Sequence, residues 1–281
     1  MNWNAKDLIK QAIERHGDSI AVACSFGKDS IVALWMAIQI KPDIKVIFEN
    51  TGVEYKQTID LKNKLHKEWN LNLKETKPIK SFWQCVDDYG IPKCRKTGGK
   101  GSNSPKCCKF LKEEPAKILQ REWGVNAVIT GLQSCESRSR SLIAKRYDNK
   151  KAPYMEAEHK GEIIEFCSQR WFTKSTNCWS YHPIMHWSVK DVWEYIFKNN
   201  LPINKIYIKW DIYGNHKENP KFSINKDHRL CLDGVESLYQ RCGCSTCTAY
   251  LEWEKSHKSH PRIYFKLKEL ADPNQQLLTT N

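Results

Sequence analysis

The chain has 281 residues, long enough for one large domain or one and a half. Its 45 lysines and arginines against 32 acidic residues give a formal charge of +13, which points to an anionic partner such as nucleic acid, although lysines spread along a chain also make an ordinary solvated surface. A mean hydropathy of −0.65 and no apolar run of spanning length argue against a membrane helix, MNWNAKDLIKQ has no signal-peptide pattern, and a cytoplasmic location is expected. Twelve cysteines in such a chain suggest metal, cluster or thiol chemistry rather than a disulfide framework.

In chain order, residues 4–16 read as an amphipathic helix with Leu8, Ile9, Ala12 and Ile13 on one face and Gly17 as its stop. Residues 20–24 are a short apolar run that suits a strand buried on both faces. Ser25, Phe26, Gly27, Lys28, Asp29 and Ser30 form a small polar turn, and Ile31, Leu34, Trp35 and Ile38 then recur at helical spacing. Strand, turn and helix N-terminus together make an anion site, because free backbone N–H groups and the positive end of the helix dipole face the turn. Gly27 allows close approach of a phosphate, Lys28 adds a point charge, and Ser25 and Ser30 can donate hydroxyl hydrogen bonds. The spacing is not that of the GxxxxGK[ST] loop, and an ordinary strand-to-helix turn containing a lysine has the same local pattern.

Residues 45–49 are a second buried strand, followed by Asn50, Thr51 and Gly52 at its carboxyl end. Residues 57–69 form an amphipathic helix, and residues 71–75 a third strand. Residues 76–105 read as irregular and basic. Within them the Gly- and Ser-rich stretch at about 94–106 is expected to be a mobile lid over phosphate or nucleic acid, or a plain surface insertion. Cys107 and Cys108 open another helix, and residues 125–130 make a further buried strand ending in Gly131. Glu136, Ser137 and Arg138 follow that strand's carboxyl end, where ligands bind in doubly wound sheets, and Arg138 and Arg140 can donate bidentately to phosphate or sulfate. A hairpin around Gly161 is expected, then a helix with Ser188 as N-cap and Asp191 at its third position. The fold class expected is α/β, a doubly wound parallel sheet. Residues 1–200 are expected to carry the nucleotide and residues 201–281 a smaller cysteine-rich region.

Cys244 and Cys247 make a CxxC turn that brings two sulfurs to one side, and Cys107 and Cys108 form a second pair. The four suit an iron–sulfur cluster. A local zinc site from Cys231, Cys242, Cys244 and Cys247 is the competing arrangement. Cys24, Cys85, Cys94, Cys135, Cys167 and Cys178 read as buried or incidental thiols, with Cys94 and Cys135 near the expected site.

Several of these segments carry a resemblance. SFGKDS resembles the SGGxDS pyrophosphate loop of the ATP pyrophosphatase, or PP-loop, superfamily, with Phe26 at the first glycine as in its PAPS and APS reductase branch. ENTGVEY, GLQSCESRSR (Gln133 at a usual arginine), the DVW helix and the CC…CxxC set are similar to segments of that same branch. The resemblance implies an adenine nucleotide alpha hydrolase-like fold and binding of ATP with Mg²⁺ at Ser25, Gly27, Lys28, Asp29 and Ser30, with Lys28 and Asp29 as catalytic residues. It implies nucleotide contacts from Thr51, Gly52, Gly131, Glu136, Ser137 and Arg138, and a [4Fe–4S] cluster on Cys107, Cys108, Cys244 and Cys247. Reductases of the branch carry a cysteine in a C-terminal ECG-[IL]-H motif, and no cysteine follows Cys247 here. The function this favours is an ATP pyrophosphatase that adenylates an acceptor, plausibly nucleic acid, for sulfur transfer, close in role to DndC- and SspD-type DNA phosphorothioation proteins or tRNA thiolation enzymes. The alternative is a PAPS or APS reductase releasing sulfite. Expected partners are an adenine nucleotide, nucleic acid, a cysteine desulfurase or other sulfur donor, and a second copy as a homodimer, with no membrane.

Overall fold

The structure, a computed structural model, describes residues 4–92, 106–136, 138–151, 155–207, 222–224, 230–232, 235–236 and 243–247. The chain divides into two compact units. The first comprises Met1–Phe48, Gln57–Glu75 and Lys117–Cys242; the second comprises Glu49–Lys56, Thr76–Ala116 and Gly243–Asn281. Residues 94–105 of the expected basic lid, Ser137 and Cys242 lie outside the described residues, and of Cys231 only the backbone is described.

The first unit is built on a six-stranded sheet. Its strands are β1 (Ile20–Ala23), β2 (Lys45–Phe48), β3 (Asn72–Glu75), β4 (Ala127–Thr130), β7 (Arg170–Thr173) and β8 (Cys178–Tyr181), in the order β3-β2-β1-β4-β8-β7. Pairing is parallel from β3 through β8, with Ala21 opposite both Lys45 and Val128. The strand order reverses direction between β1 and β4, so this is the doubly wound α/β fold with its topological switch point at those two strands. Only the edge strand β7 runs antiparallel, turning back onto β8. Ile20, Ala21 and Val22 are all buried, as the unalternating apolar run of a strand covered on both faces requires.

Helices cover the two faces. On one lie α1 (Ala5–His16) and α2 (Lys28–Ile38), with α8 (Val189–Lys198) against α2. On the other, Leu119 of α6 (Glu114–Glu122) and Trp123 pack on Ala21, Ile47, Val128 and Cys178. Local signals end these helices where the side chains dictate. Asn4 caps α1 by accepting the Lys6 N–H at 3.0 Å, and Ser188 and Asp191 form a reciprocal capping box on α8. The expected hairpin is β5 (Glu156–His159) with β6 (Glu162–Glu165), turning through Gly161. The unit also holds α3 (Lys56–Glu68), α7 (Arg138–Asp148) and the short strands β9 (Phe222–Ile224), β10 (Leu230–Leu232) and β11 (Val235–Glu236). No helix among the described residues is long and apolar enough to cross a membrane.

The second unit corrects one expectation. Residues 76–105 are not irregular throughout, because α4 (Phe82–Tyr89) starts on a capping box of Ser81 with Gln84. Phe82 and Val86 of α4 and Leu111 are its buried core, with Val53, Trp83, Ile91 and Cys107 packed around them. The helix opened by α5 (Lys106–Cys108) is not a plain α-helix either: Lys109–Glu113 is a π-helical turn before α6. Pro115 explains it. Proline lacks the N–H for an i−4 bond and its ring would strike the Leu111 carbonyl, so the chain widens there and Glu114 N–H donates to the Lys109 carbonyl instead.

Candidate phosphate loop and cysteine site

The turn from β1 to α2 lies at the switch point, at the carboxyl end of the central strand. Two features of the loop depart from simple expectation. The left-handed residue is Phe26, at φ +55°, while Gly27 is the N-cap of α2 at φ −83°. A bulky side chain in that region is strained. Phe26 is held there by complete burial against Phe48, with ring centroids 5.6 Å apart, and by Asn204, whose Nδ2 donates to the Phe26 carbonyl at 3.1 Å and to Thr58 Oγ1 at 3.0 Å. The loop is also tied by the Lys28 N–H, which donates to Tyr207 Oη at 3.2 Å, and Tyr207 in turn packs edge-on to Trp193 of α8. Asn204 and Tyr207 were not singled out from the sequence. Both are ordinary polar residues in a segment without periodicity, so no local signal marks them.

Lys28, Asp29 and Ser30 form a compact polar group. Lys28 Nζ bonds both carboxylate oxygens of Asp29, at 2.6 and 2.7 Å, and lies 3.4 Å from Gln133 Oε1. Gln133 is itself buried and oriented by donating to the Trp187 carbonyl at 2.9 Å. Ser30 Oγ donates to the Gly27 carbonyl at 3.1 Å and sits 3.2 Å from Ser25 Oγ. Burial pushes the Asp29 carboxyl above its usual range. The Lys28 ammonium works against that shift and the nearby Glu136 charge adds to it. Gly131, at the end of β4, is the position at which a side chain cannot fit: a Cβ there would lie 2.4 Å from the Asp29 carbonyl carbon and 2.6 Å from the Ser30 nitrogen. The glycine therefore lets β4 press against the first turn of α2. Beyond it Glu136 pairs with Arg140, and Arg138 is exposed at the start of α7.

His182, one residue past β8, completes this edge of the sheet. Its Nδ1 is 2.7 Å from Thr130 Oγ1, its ring lies 4.0 Å from that of Trp171, and burial with the Arg140 charge lowers its pKa to about 3.

Thr51 and Gly52 follow β2 in the chain and belong to the second unit, where they meet the cysteines. Gly52 takes φ +75° as its N–H donates to Asn50 Oδ1 at 3.0 Å, a turn that needs glycine. Thr51 Oγ1 donates to Glu54 Oε1 at 2.7 Å and receives the Cys244 thiol at 3.5 Å. Cys244 bridges to Glu54 along the backbone, and Ser245 donates through both N–H and Oγ to the Val53 carbonyl, at 2.7 and 2.8 Å. The Cys247 N–H donates to the Cys244 carbonyl at 3.1 Å and closes the CxxC turn.

The two cysteine pairs act on one another electrostatically. The Cys107 thiol is pushed up by its hydrogen bond with Cys108, by burial, and by the charges that Cys108, Cys244 and Cys247 would carry. Cys244 is raised to about 11, mainly by burial, with the Lys112 ammonium opposing. Lys112 is a site residue that the sequence did not reveal. Burial disfavours its charge, but Cys244, Glu54, Glu49 and Cys108 outweigh that and raise it. Among the described residues no three His, Cys, Asp or Glu converge closely enough for a single ion, and no disulfide joins the described cysteines. The four thiols Cys107, Cys108, Cys244 and Cys247 share one electrostatic environment and offer all-sulfur donors, a chemistry that suits either an iron–sulfur cluster or zinc. Of the other thiols, Cys24, Cys85, Cys167 and Cys178 are buried and Cys135 is exposed, while Cys94 lies outside the described residues.

Comparison with known proteins agrees with this architecture. An adenosine 5'-phosphosulfate reductase of Geobacillus sp. (strain WCH70) is 28% identical over 204 residues, covering 72% of this chain and 73% of that protein. Adenosine 5'-phosphosulfate reductase 2 of Bacillus subtilis (strain 168) is 28% identical over 203 residues, 72% of each chain. The crystal structure of phosphoadenylyl-sulfate reductase from Candida auris, a phosphate complex, shares the fold at a TM-score of 0.50 and 21% identity, over 72% of this chain and 83% of that one. With the family profile described as phosphoadenosine phosphosulfate reductase domain matching residues 19–250, the chain belongs to the phosphoadenosine phosphosulfate reductase family.

Proposed function

We propose that this family member is an ATP pyrophosphatase that adenylates an acceptor oxygen, most simply on a nucleic acid, for sulfur transfer. The observation that carries the reading is the loop of residues 25–30. Lys28 is nearly buried in it, paired with Asp29 and aligned by Gln133, with the N-terminus of α2 behind. In the resting loop the ammonium and the carboxylate neutralise each other. A pyrophosphate moiety would take Asp29's place on Lys28 and leave the carboxylate for the Mg²⁺ that accompanies ATP. Ser25, Ser30 and the α2 N–H groups would hold the β- and γ-phosphate oxygens. The acceptor oxygen attacks the α-phosphorus, the bond to the bridging oxygen breaks, and pyrophosphate leaves with its charge stabilised by Lys28 and those N–H groups. The outer sulfur of a persulfide on a donor protein such as a cysteine desulfurase then bonds to the activated acceptor, AMP departs with the former acceptor oxygen, and a thiol reductant cleaves the remaining S–S bond to free the donor. Thr51, Gly52, Gly131, Glu136, Ser137 and Arg138 are assigned to the nucleotide.

Cys107, Cys108, Cys244 and Cys247 would hold a [4Fe–4S] cluster, which supplies a sulfur- and electron-handling centre when bound. Lys112 beside them offsets the negative charge of the deprotonated thiolates. The test is pyrophosphate release from ATP in the presence of candidate acceptors. Lys28→Ala should lower it by two orders of magnitude or more, in the range of ~10²–10³ for loss of one such donor, and unchanged turnover would remove the loop from the mechanism.

A second reading is favoured by the curated relatives, which are named adenosine 5'-phosphosulfate reductases. On that reading the loop binds the phosphates of a sulfonucleotide, and sulfite is the product. Sulfite release from PAPS or APS, with no pyrophosphate from ATP, would establish it over the first.

A further inference from the structure

Helix α7 has an unusual surface. Of its 11 residues only Ala144 is buried. At about 100° per residue, Arg138, Leu142, Lys145, Arg146 and Ile143 all fall on the side away from Ala144. Leu142 is 50% exposed and Ile143 42%. No acid shares that face. Asp148 is turned the other way, where a carboxylate oxygen accepts the Ser168 N–H at 3.2 Å, and Glu136 before the helix is engaged by Arg140. A helix that exposes two aliphatic residues between three cations has an unpartnered face rather than an ordinary solvated one.

We infer that this face of α7 docks the sugar–phosphate backbone of a nucleic-acid acceptor, an assignment that rests on the reading of the acceptor given above. Three observations favour a polyanionic strand. Two of the cations stand along one line: Arg138, at the nucleotide end of the helix, and Lys145 are two turns apart, ~11 Å, the span of about three phosphates on one strand, and Arg146 lies about 100° round the helix from Lys145. The chain as a whole carries +13, which draws polyanions from a distance. The helix also starts at the phosphate loop, since Glu136 is close enough to raise the Asp29 carboxyl and Gly131 touches the Asp29 backbone. A strand lying along α7 therefore runs towards the place where ATP would be split. Leu142 and Ile143 between the cations give the sugars or unstacked bases an apolar surface.

The experiment is fluorescence anisotropy of the full chain with short labelled single-stranded DNA, single-stranded RNA and duplex probes over a salt series. It compares wild type with Lys145→Glu/Arg146→Glu, neither residue being part of the nucleotide site. The variant should bind the preferred probe at least ~10-fold more weakly at ~0.1 M salt, with the log–log salt slope reduced by about two. Its melting-temperature rise on adding ATP should match that of wild type. The three probes identify which nucleic acid is the ligand. If wild type binds and the variant keeps both affinity and slope, the α7 assignment fails while the nucleic-acid acceptor stands. If wild type binds none of the probes, the acceptor reading itself fails. Binding of poly-aspartate through Lys145 and Arg146 in place of nucleic acid would make the occupant an acidic protein and overturn the proposal.

Discussion

Phe26 shows how competing effects resolve within one residue. Its left-handed backbone costs ~1–2 kcal/mol relative to glycine, the residue of the SGGxDS pattern at that position. Its ring is fully buried against Phe48, and removing such a ring costs ~3–5 kcal/mol. Packing therefore outweighs strain. Phe26→Gly should relax the loop yet destabilise the protein by ~2 kcal/mol, measured as a lower urea midpoint with unchanged slope; a stabilised variant would mean that the strain is the larger effect. The sequence reveals which residues line this loop, because Ser25, Lys28, Asp29 and Ser30 are adjacent in the chain. It does not reveal that Phe26 rather than Gly27 takes the positive φ. That choice depends on Asn204, 178 positions away, holding the Phe26 carbonyl.

At the scale of elements, helix ends and buried strands were legible, since caps and apolar runs act over a few residues. Ser188 with Asp191 is an example. The π turn at Lys109–Glu113 was not foreseen, although its cause, Pro115, is written in the sequence. Whether a proline ends, kinks or widens a helix depends on what the flanking turns pack against, and here Leu111 and Cys107 are anchored on α4. That anchoring holds the CC pair in the same unit as the CxxC turn. Anaerobically purified protein should accordingly carry about four irons and four acid-labile sulfides per chain. A Cys107→Ser/Cys108→Ser variant should carry neither. Stoichiometric zinc without sulfide would replace the cluster with a zinc site.

For the whole molecule, the clearest consequence concerns pH. His16 and His182 are both lowered to about 3, chiefly by burial: His16 lies against His159 and Tyr181, and His182 against Trp171 and Thr130. Both are neutral in the native protein, whereas an unfolded chain protonates them near 6.5. Their contribution to stability is complete above pH 6.5 and is lost as pH falls towards 3, because the unfolded state then binds more protons. Between pH 6.5 and 5 each should cost ~2 kcal/mol. A thermal-melt series should thus show a fall in midpoint over that interval, and the fall should be smaller in His182→Gln. An equal fall in that variant would exclude His182 as a source. Neither histidine could be assigned this role beforehand, since burial of a side chain is a property of the packed whole. The sequence by itself determined the parallel α/β class, the loop of residues 25–30 and the two cysteine pairs, because hydrophobic period, turn chemistry and spacing act locally. Only the tertiary structure decided what surrounds them. Lys112 beside the cysteines, Gly131 pressed on Asp29, Asn204 and Tyr207 holding the loop, and the uncovered face of α7 all depend on contacts between segments distant in the chain, which no local pattern encodes.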